Sequence, residues 1–433
     1  MAFHSRTPVT VIEFGTDKIA VLHGQCDREG HVEVLAFVQA PSQGSVQKGL
    51  IVDFNKALQI LGKVLEEADR ALPISAGEHK NVYVLLNGSV VTSSRGEGTV
   101  MIYDDGKVHQ HHIDSAVEKA LSFALPQGQI SFGSYDSFFV INRANRVKDP
   151  KGQMASQLDV YIHILACDKK YLDDIRRIFH ELGFEHQVNP VFNGISSIFS
   201  VLTQEERERG TLLIDFGSGC CDYVLICMDG IYLSGVLPVG VNHIANDLSI
   251  GLDLPYEVCM NFLRENKLSA LRNDGLSFWE YTESVTRKKR QIPLDSFEKI
   301  MDLRLREIYS IIHRKICEKR LQSCITSGIV LCGGGAEIDG SAEIARNVFT
   351  APVRIGEVQM PGAVTGFESA SPCYAAILGV LHFAAMDLEQ RENEGGLISG
   401  VFSSVMDSVV NPPSFSRCSK SIAAKCSTPR IAA

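Results

Sequence analysis

The feature that most constrains this chain is an apolar stretch that carboxylates and small residues interrupt. Residues 212–226 read LLIDFGSGCCDYVLI. Each apolar half is long enough for a core strand, and Gly217 and Gly219 between them predict the tight reversal of a β-hairpin. Asp215 and Asp222 stand at the two ends of the turn, and a carboxylate is costly to bury without a cation or hydrogen-bond donors. The turn is therefore a candidate binding site.

A second copy of this pattern stands near the N-terminus, in VTVIEFGTDKIAVLHG. The order acid, aromatic, glycine, hydroxyl occupies residues 13–16 here and residues 215–218 in the later stretch. A further strand follows each copy after a polar break, at 31–39 and at 231–238. A repeated pattern of this kind predicts one structural unit used twice. Two glycine-tipped hairpins that face each other would form a cleft between two halves.

A third glycine cluster lies late in the chain, in SGIVLCGGGAEIDGSAEIARNVF. A predicted strand, 329–332, runs into Gly333, Gly334 and Gly335, and apolar residues at helical spacing follow. Glycines let backbone N–H groups approach a ligand closely, and a helix N-terminus favours negative charge. One such loop is most often only a turn. Three of them in this order indicate a site for an anionic ligand.

Composition limits the class of function. The chain has 433 residues, 45% of them hydrophobic and 21% charged, which is ordinary for a globular protein of roughly two to four compact units. Its formal net charge of -9 argues against a general nucleic-acid binder. The sequence shows no signal-peptide pattern and no apolar run of about 18 residues, which predicts a cytosolic protein body. The 12 cysteines form no CxxC pair and are expected to be reduced thiols.

Several further segments accompany the glycine loops. They are KGLIVDF at 48–54, SSRGEG around Arg95, DPKGQM at 149–154, LPVGVNHIANDLSIGL at 237–252 and IMDLRLREIYSII at 300–312. Together with EFGTDK in the first hairpin, they resemble the bacterial cell-division protein FtsA, one family of the actin, Hsp70 and sugar-kinase superfamily. The resemblance covers residues 8 to about 385.

The resemblance implies an α/β chain with the actin-like two-lobed ATPase fold. Such a fold has duplicated mixed-sheet domains around a nucleotide cleft, and this family adds an inserted small α+β subdomain of the SHS2 type and a C-terminal amphipathic helix. The implied division is subdomain 1A at 7–80 and 353–386, inserted subdomain 1C at 81–164, subdomain 2A at 165–245 and 325–352, and subdomain 2B at 246–324. A linker at 387–396, the amphipathic helix at 397–411 and a basic, disordered tail at 412–433 would follow.

The resemblance also implies that the cleft binds ATP and Mg²⁺. Glu13 and Asp215 would hold the metal ion, largely through waters, because Mg²⁺ prefers hard oxygen ligands. Turn N–H groups and Lys18 would neutralise the phosphates. The full predicted set is Glu13, Gly15, Thr16, Asp17, Lys18, Asp215, Gly217, Ser218, Gly219, Cys220, Cys221, Gly333, Gly334 and Gly335.

The candidate cleft departs from the family pattern where phosphates would be held. Glu13 replaces an aspartate, and Cys220 and Cys221 replace the two threonines of D-x-G-x-G-T-T-D. A thiol is a weak donor and a poor partner for a hard cation, so we expect at most a weak ATPase and assign no catalytic residue. The family's A-E-x-x-K motif falls on Val258, Cys259 and Phe262, which would remove a charged pair near adenine.

The segment LISGVFSSVMDSVV predicts an amphipathic helix near the C-terminus. An isolated helix of about 14 residues is marginal in water unless it gains an apolar surface to lie on. That surface is either the protein's own body or a membrane, and the flexible linker and basic tail favour an anionic membrane. The predicted membrane-facing residues are Leu397, Ile398, Val401, Phe402, Val405, Met406, Val409 and Val410.

Subdomain 2B carries the predicted partner site. In the FtsA family it holds a short C-terminal peptide of the tubulin-like FtsZ, and Arg304 and Arg306 on the predicted helix 295–316 are expected to bind that peptide. Pairing of Arg304 with Glu307 or Glu298 is the alternative.

The resemblance thus implies a peripheral membrane protein of the division septum. It would bind ATP, self-assemble into filaments and tether the FtsZ ring to the cytoplasmic face of the inner membrane, beside other division proteins. Two alternatives are a PilM-like pilus-assembly adaptor and an active ATPase or phosphotransferase of the same fold.

Overall fold

The elements of the fold follow from the computed structural model, which describes residues 6–27, 31–72, 81–122, 125–184, 188–283, 287–358 and 371–393. The strands are β1 Thr7–Phe14, β2 Lys18–Cys26, β3 Val32–Pro41, β4 Val46–Gln47, β5 Leu50–Ile51, β6 Val82–Leu86, β7 Thr92–Met101, β8 Gln129–Ile141, β9 Asn145–Val147, β10 Gln157–Asp168, β11 Val188–Phe192, β12 Thr211–Phe216, β13 Cys221–Cys227, β14 Gly230–Leu237, β15 Phe278–Thr282, β16 Lys289–Pro293, β17 Gly328–Cys332 and β18 Val353–Ile355. The helices are α1 Phe54–Ala71, α2 Gln110–Leu121, α3 Lys169–Glu181, α4 Asn193–Val201, α5 Gln204–Arg209, α6 Val241–Leu252, α7 Tyr256–Arg264, α8 Lys267–Asn273, α9 Leu294–Glu318, α10 Ser341–Phe349 and α11 Ala375–Asn393.

Two five-stranded sheets share one topology. Their strand orders are β11-β6-β1-β2-β3 and β14-β13-β12-β17-β18. In each sheet an antiparallel hairpin, β1–β2 or β12–β13, continues into a third antiparallel strand, while the first strand of the hairpin pairs in parallel with a later one. The sequence prediction of a structural unit used twice is confirmed.

The inserted subdomain is a four-stranded sheet, β7-β10-β8-β9, with α2 packed on one face. Close packing requires glycine in β7, because a β-carbon on Gly98 would lie 1.8 Å from the Ala116 carbonyl oxygen of α2. The same sheet also contacts β14 of the second large sheet, where Ser93 Oγ donates a hydrogen bond of 2.8 Å to the Ser234 carbonyl oxygen.

The fourth unit is mostly helical and contains α6, α7, α8 and α9. Its core includes Phe262 and Phe297, whose stacked rings have centroids 4.1 Å apart. An antiparallel hairpin, β15–β16, lies between α8 and α9. Trp279 of β15 packs beside Phe262, with ring centroids 5.2 Å apart, so the hairpin covers one side of this core.

The two large sheets meet through a pair of helices. The helix α11 packs on β1, β2 and β3 of the first sheet, and α4 packs on β12, β13 and β17 of the second. The two helices contact each other closely, because a β-carbon on Gly379 would lie only 1.9 Å from the Ser196 carbonyl oxygen. Two serine hydroxyls of α4 also reach α11, since Ser196 Oγ donates to Ala376 O and Ser200 Oγ to Ala375 O, both at 2.6 Å.

Sheet membership corrects three of the predicted subdomain boundaries. The strand β6 was placed in the inserted subdomain and β11 in subdomain 2A, but both pair within the first sheet. The strand β18 was assigned to subdomain 1A, but it pairs with β17 in the second sheet. Parallel pairing joins residues that are distant in sequence, so local patterns do not reveal it.

The helix α11 continues to Asn393 and so occupies residues 387–393, the first part of the predicted linker. No Gly or Pro interrupts this segment before Gly395. The predicted amphipathic helix at 397–411, with all its membrane-facing residues, and the tail at 412–433 lie outside the described residues. None of the described helices is long and apolar enough to cross a membrane.

We expect Gly379→Ala to lower the thermal midpoint by roughly 5 °C or more, because the added methyl group would overlap the α4 backbone. Gly62→Ala in α1 is the matched control, since its methyl group would make an ordinary contact of 3.5 Å with Leu182. Alanine is the better helix former, so Gly62→Ala should hold or raise the midpoint. Differential scanning fluorimetry measures both; equal midpoints for the two variants would contradict the proposed importance of the α4–α11 contact.

A candidate nucleotide cleft

The two repeated hairpins end in turns of the same construction. The Gly15 N–H donates to Lys18 O at 2.8 Å in the first, and the Gly217 N–H donates to Cys220 O at 2.9 Å in the second. The two tips touch, because a β-carbon on Gly219 would lie 2.3 Å from Thr16 Oγ1. The expectation that the hairpins face each other across a cleft agrees with this geometry.

The cleft between the tips has a volume of about 420 Å³. Twelve of the fourteen predicted residues line it: Glu13, Gly15, Thr16, Asp17, Lys18, Asp215, Gly217, Ser218, Gly219, Cys220, Gly333 and Gly334. The other two point elsewhere. Cys221 is buried, with its Sγ 3.1 Å from Val239 O, and a β-carbon on Gly335 would lie 2.4 Å from the Phe216 ring. The small size of both residues therefore serves packing in this structure.

The helix α7 forms one wall of the cleft, but the residues that line this wall are not those of the family motif. Cys259 and Phe262 are buried in the core and do not line the cleft, so the loss of a charged pair at these positions stays a prediction. The wall consists of Met260, Leu263 and Arg264. A charged side chain is thus present on this wall after all.

Carboxylates meet on the floor of the cleft. Burial raises the pKa of Asp215 to about 6, although the Ser197 hydroxyl donates to it at 2.7 Å and opposes the shift. Burial, and after it the Asp215 carboxylate, raises the pKa of Asp222 well above its usual value. Burial likewise raises the pKa of Glu13, against the pull of Lys18. Each raised pKa means that the ionised form of the carboxyl group is unfavourable in this site. A bound cation would lower these pKa values and favour the ionised form.

Three acceptor oxygens in the cleft wall have no hydrogen-bond partner within the described part of the chain. They are Oδ1 of Asn87, Oδ1 of Asn193 and Oδ1 of Asp222, all buried. Buried acceptors without partners are rare in folded proteins and call for a ligand or water. A hydrated Mg²⁺ supplies water donors, and the nearby carboxylates are hard oxygen ligands. The residues present therefore fit this ion.

Neither the two asparagines nor the hydrogen bond from Ser197 to Asp215 was predicted from the sequence. A signal was available, because Asn87 directly follows β6 and Asn193 directly follows β11. Neighbouring parallel strands bring their carboxyl ends to the same edge of a sheet, so polar residues there meet. Recognising the signal requires knowing that β6 and β11 are neighbours, which the sequence did not reveal.

Two cations complete the cleft. The Lys18 Nζ lies 4.3 Å from the centre of the Tyr374 ring. Burial alone would lower the pKa of Lys18, but Glu13 acting together with Cys373, Tyr374 and Asp17 outweighs it, so the net pKa is raised and the amine stays charged. Arg264 of α7 pairs with Asp17 of the first hairpin at 2.6 Å, which joins the two sides of the cleft.

The predicted partner residues lie on α9, away from the cleft. Arg304 donates two hydrogen bonds to Asp247 of α6, one of them 2.9 Å long, and a third to Glu307. The alternative of pairing with Glu307 is therefore present, and Asp247 is a partner that the sequence did not suggest. Arg306 pairs with Asp302 at 2.7 Å.

The fold and the site define a class. Two sheets of one topology, whose hairpin tips and a later glycine loop enclose a cleft, form an actin-like fold. The solved PilM–PilN type IV pilus biogenesis complex has a similar chain, with a TM-score of 0.59, 15% identity and coverage of 88% of this chain and 99% of that one. MreB5 of Spiroplasma citri bound to ADP is also similar, with a TM-score of 0.53, 14% identity and coverage of 89% and 98%.

Sequence comparison narrows the class. Residues 212–379 match the family model of cell division protein FtsA, and residues 88–166 match that of the SHS2 domain inserted in FtsA. The FtsA of Pseudomonas aeruginosa is 24% identical over 387 residues, which span 89% of this chain and 90% of the relative. That of Borreliella burgdorferi is 26% identical over 390 residues, with coverage of 87% and 91%. The chain belongs to the FtsA family of cell-division proteins.

The raised pKa of Asp215 makes stability depend on pH. The folded state holds this proton up to about pH 6, whereas an unfolded aspartate releases it near pH 4, so stability should fall as pH rises through this window. Asp215→Asn removes the charge and keeps an acceptor for Ser197. We expect the variant to exceed the wild type at pH 7.5 by up to about 3 kcal/mol and to match it near pH 4.

Thermal midpoints in magnesium-free buffer between pH 4 and pH 8 measure this difference. Asp274→Asn, at an exposed position, is the control and should follow the wild type at every pH. A lower midpoint for Asp215→Asn than for the wild type at pH 7.5 would show that the charged carboxylate stabilises the apo cleft.

Proposed function

We propose that this FtsA-family protein binds ATP with Mg²⁺ in the cleft, self-assembles and tethers the FtsZ ring to the inner membrane at the division septum. The observation that carries the nucleotide part is the convergence of three carboxylates and three unpartnered acceptor oxygens beside the two hairpin tips. Such a floor suits a hydrated cation, and the glycine turns above it suit phosphates. The MreB5 relative was solved with ADP and with AMPPNP.

Each part of the cleft has a role in this proposal. Asp215, Asp222 and Glu13 hold the hydrated cation, and the turn N–H groups of 218 and 219 donate to the phosphates. Lys18 leaves the Tyr374 ring to reach a phosphate, which is the stronger partner for an ammonium group. Gly333 and Gly334 leave room for the sugar side of the nucleotide. Met260 and Leu263 offer the base an apolar wall.

Turnover should be slow because the phosphate turn has Cys220 where the family has threonine. Burial raises the pKa of the Cys220 thiol, so it stays neutral and donates only weakly. The protein would then use ATP as a bound ligand that favours one conformation, with at most weak hydrolysis.

Substituting each of the two adjacent cysteines by threonine, one at a time, distinguishes their roles. We expect Cys220→Thr to tighten ATP binding by roughly fivefold, since a hydroxyl adds one hydrogen bond to phosphate worth about 1 kcal/mol. Cys221→Thr should leave the affinity unchanged, because that side chain points at Val239 O and away from the cleft. Isothermal titration calorimetry with Mg²⁺ measures both. Weaker binding by Cys220→Thr would refute the account of this turn.

The tethering part of the proposal rests on the family resemblance and on the α9 surface. The Arg304 guanidinium is half-buried beside Asp247, while Leu303 on α9 and Ile250 on α6 are 60% and 74% exposed. Arginine beside exposed apolar side chains suits an acidic peptide with apolar anchors, since charge speeds encounter and apolar contact holds the complex. The amphipathic helix that the sequence predicts at 397–411 would lie on the cytoplasmic face of the membrane, beside the other division proteins.

A single sedimentation experiment tests the tether. A labelled C-terminal peptide of the cognate FtsZ should pellet with anionic liposomes only when the protein is present. Arg304→Gln should leave the protein on the liposomes but weaken peptide capture more than tenfold, and glutamine avoids the repulsion that glutamate would meet from Asp247. Val405→Asp should release protein and peptide together, because it places a charge in the apolar face.

Arg314→Gln, at an exposed position of the same helix, is the matched control and should carry the peptide as the wild type does. Normal capture by Arg304→Gln would place the peptide site elsewhere. Continued sedimentation of Val405→Asp would remove the C-terminal segment as the anchor.

A further inference from the structure

Three histidines and two aspartates gather at the start of α2 in the inserted subdomain, outside the cleft. The sequence there reads YDDGKVHQHHID, and Asp104 is the point where the side chains meet. Its Oδ2 lies 3.9 Å from His111 Nε2 and 3.6 Å from His112 Nε2. The rings of these two histidines have centroids 3.9 Å apart. A second group shares Asp104 and adds Asp105 and His109.

The backbone holds this loop in place. Val108 is buried, its N–H donates to Gln153 O at 2.9 Å and its carbonyl accepts from Gly152 N–H at 2.8 Å. The Ala155 N–H donates to Gly106 O at 2.8 Å. The loop and the first turn of α2 therefore keep their positions without help from the charged side chains, and a ligand set formed there is largely preorganised.

His112 gives the cluster a buried edge. Its side chain is only 8% exposed, and its Nε2 faces Asp104 at 3.6 Å, beyond hydrogen-bond distance. Its Nδ1 accepts the N–H of His109 at 3.1 Å, so the neutral ring carries its proton on Nε2. Binding through Nε2 needs that proton on Nδ1 instead, so His112 would give up its bond to His109. This cost favours moderate affinity over very tight binding.

The geometry points to one site for a divalent transition-metal ion of the Zn²⁺ type, with Asp104, His111 and His112 as its ligands. Imidazole nitrogen and carboxylate oxygen are the ligands that Zn²⁺ takes at about 2.0–2.2 Å, and in a tetrahedral site they lie about 3.3 Å apart. The observed separations of 3.6 Å and 3.9 Å need only small side-chain shifts. Water can fill the fourth position, because Asp105 and His109 are hydrogen-bonded to each other at 2.9 Å. This site is independent of the proposed nucleotide cleft.

Zinc binding by the full-length chain, purified without a polyhistidine tag, tests the site. Wild-type protein should take up one more equivalent of Zn²⁺ than His111→Gln or Asp104→Asn when titrated with ZnCl₂ against a chromophoric zinc indicator. Both positions are exposed, so these variants should fold, with thermal midpoints in EDTA equal to that of the wild type. Zn²⁺ should then raise the midpoint of the wild type above that of either variant.

His180→Gln, exposed near the end of α3, is the matched control and should behave as the wild type in both measurements. The paired comparison also removes any contribution from the cysteines, which all variants keep. Equal zinc stoichiometry and equal midpoint shifts in wild type and His111→Gln would overturn the site, as would loss of the extra equivalent in His180→Gln.

Discussion

The packing of α4 against α11 is the contact on which the two-lobed arrangement depends. Each helix covers a different sheet, so the two sheets are held to each other through the place where Gly379 meets the α4 backbone. The same helices begin at the cleft, since Asn193 opens α4 and Tyr374 directly precedes α11, and both side chains line it. The packing of the core and the shape of the candidate site are therefore set by one interface.

The residues of the cleft are not arranged to stabilise the unliganded protein. Buried carboxylates that repel each other, and acceptors without donors, lower the stability of the apo protein and are justified only if a ligand compensates them. A cation with bound phosphates would do so in both respects, because it would neutralise the floor and its water molecules would donate to the acceptors. Under the proposed function, the liganded state would then be favoured through electrostatics rather than through a large apolar surface.

Local features of this chain could be read from its sequence and non-local ones could not. The hairpins, the glycine turns and the main helices follow from short patterns, and the actin-like fold and the FtsA family are confirmed. The sheet to which each of β6, β11 and β18 belongs could not be predicted, because it depends on parallel pairing between strands that local sequence patterns do not connect. In α7 a shift of one residue turns a side chain by about 100°, which separates the buried Cys259 and Phe262 from the cleft-lining Met260 and Leu263.

The ion pair between Asp17 and Arg264 has a consequence for how the cleft exchanges its contents. Its two members come from opposite sides of the entrance, and each side chain is about half exposed to solvent, at 47% and 49%. A pair of this kind contributes at most about 1 kcal/mol and weakens with salt. A pair this weak adds little to the energy needed to separate the two sides of the entrance, so it should hinder ligand entry only slightly, and least at high salt.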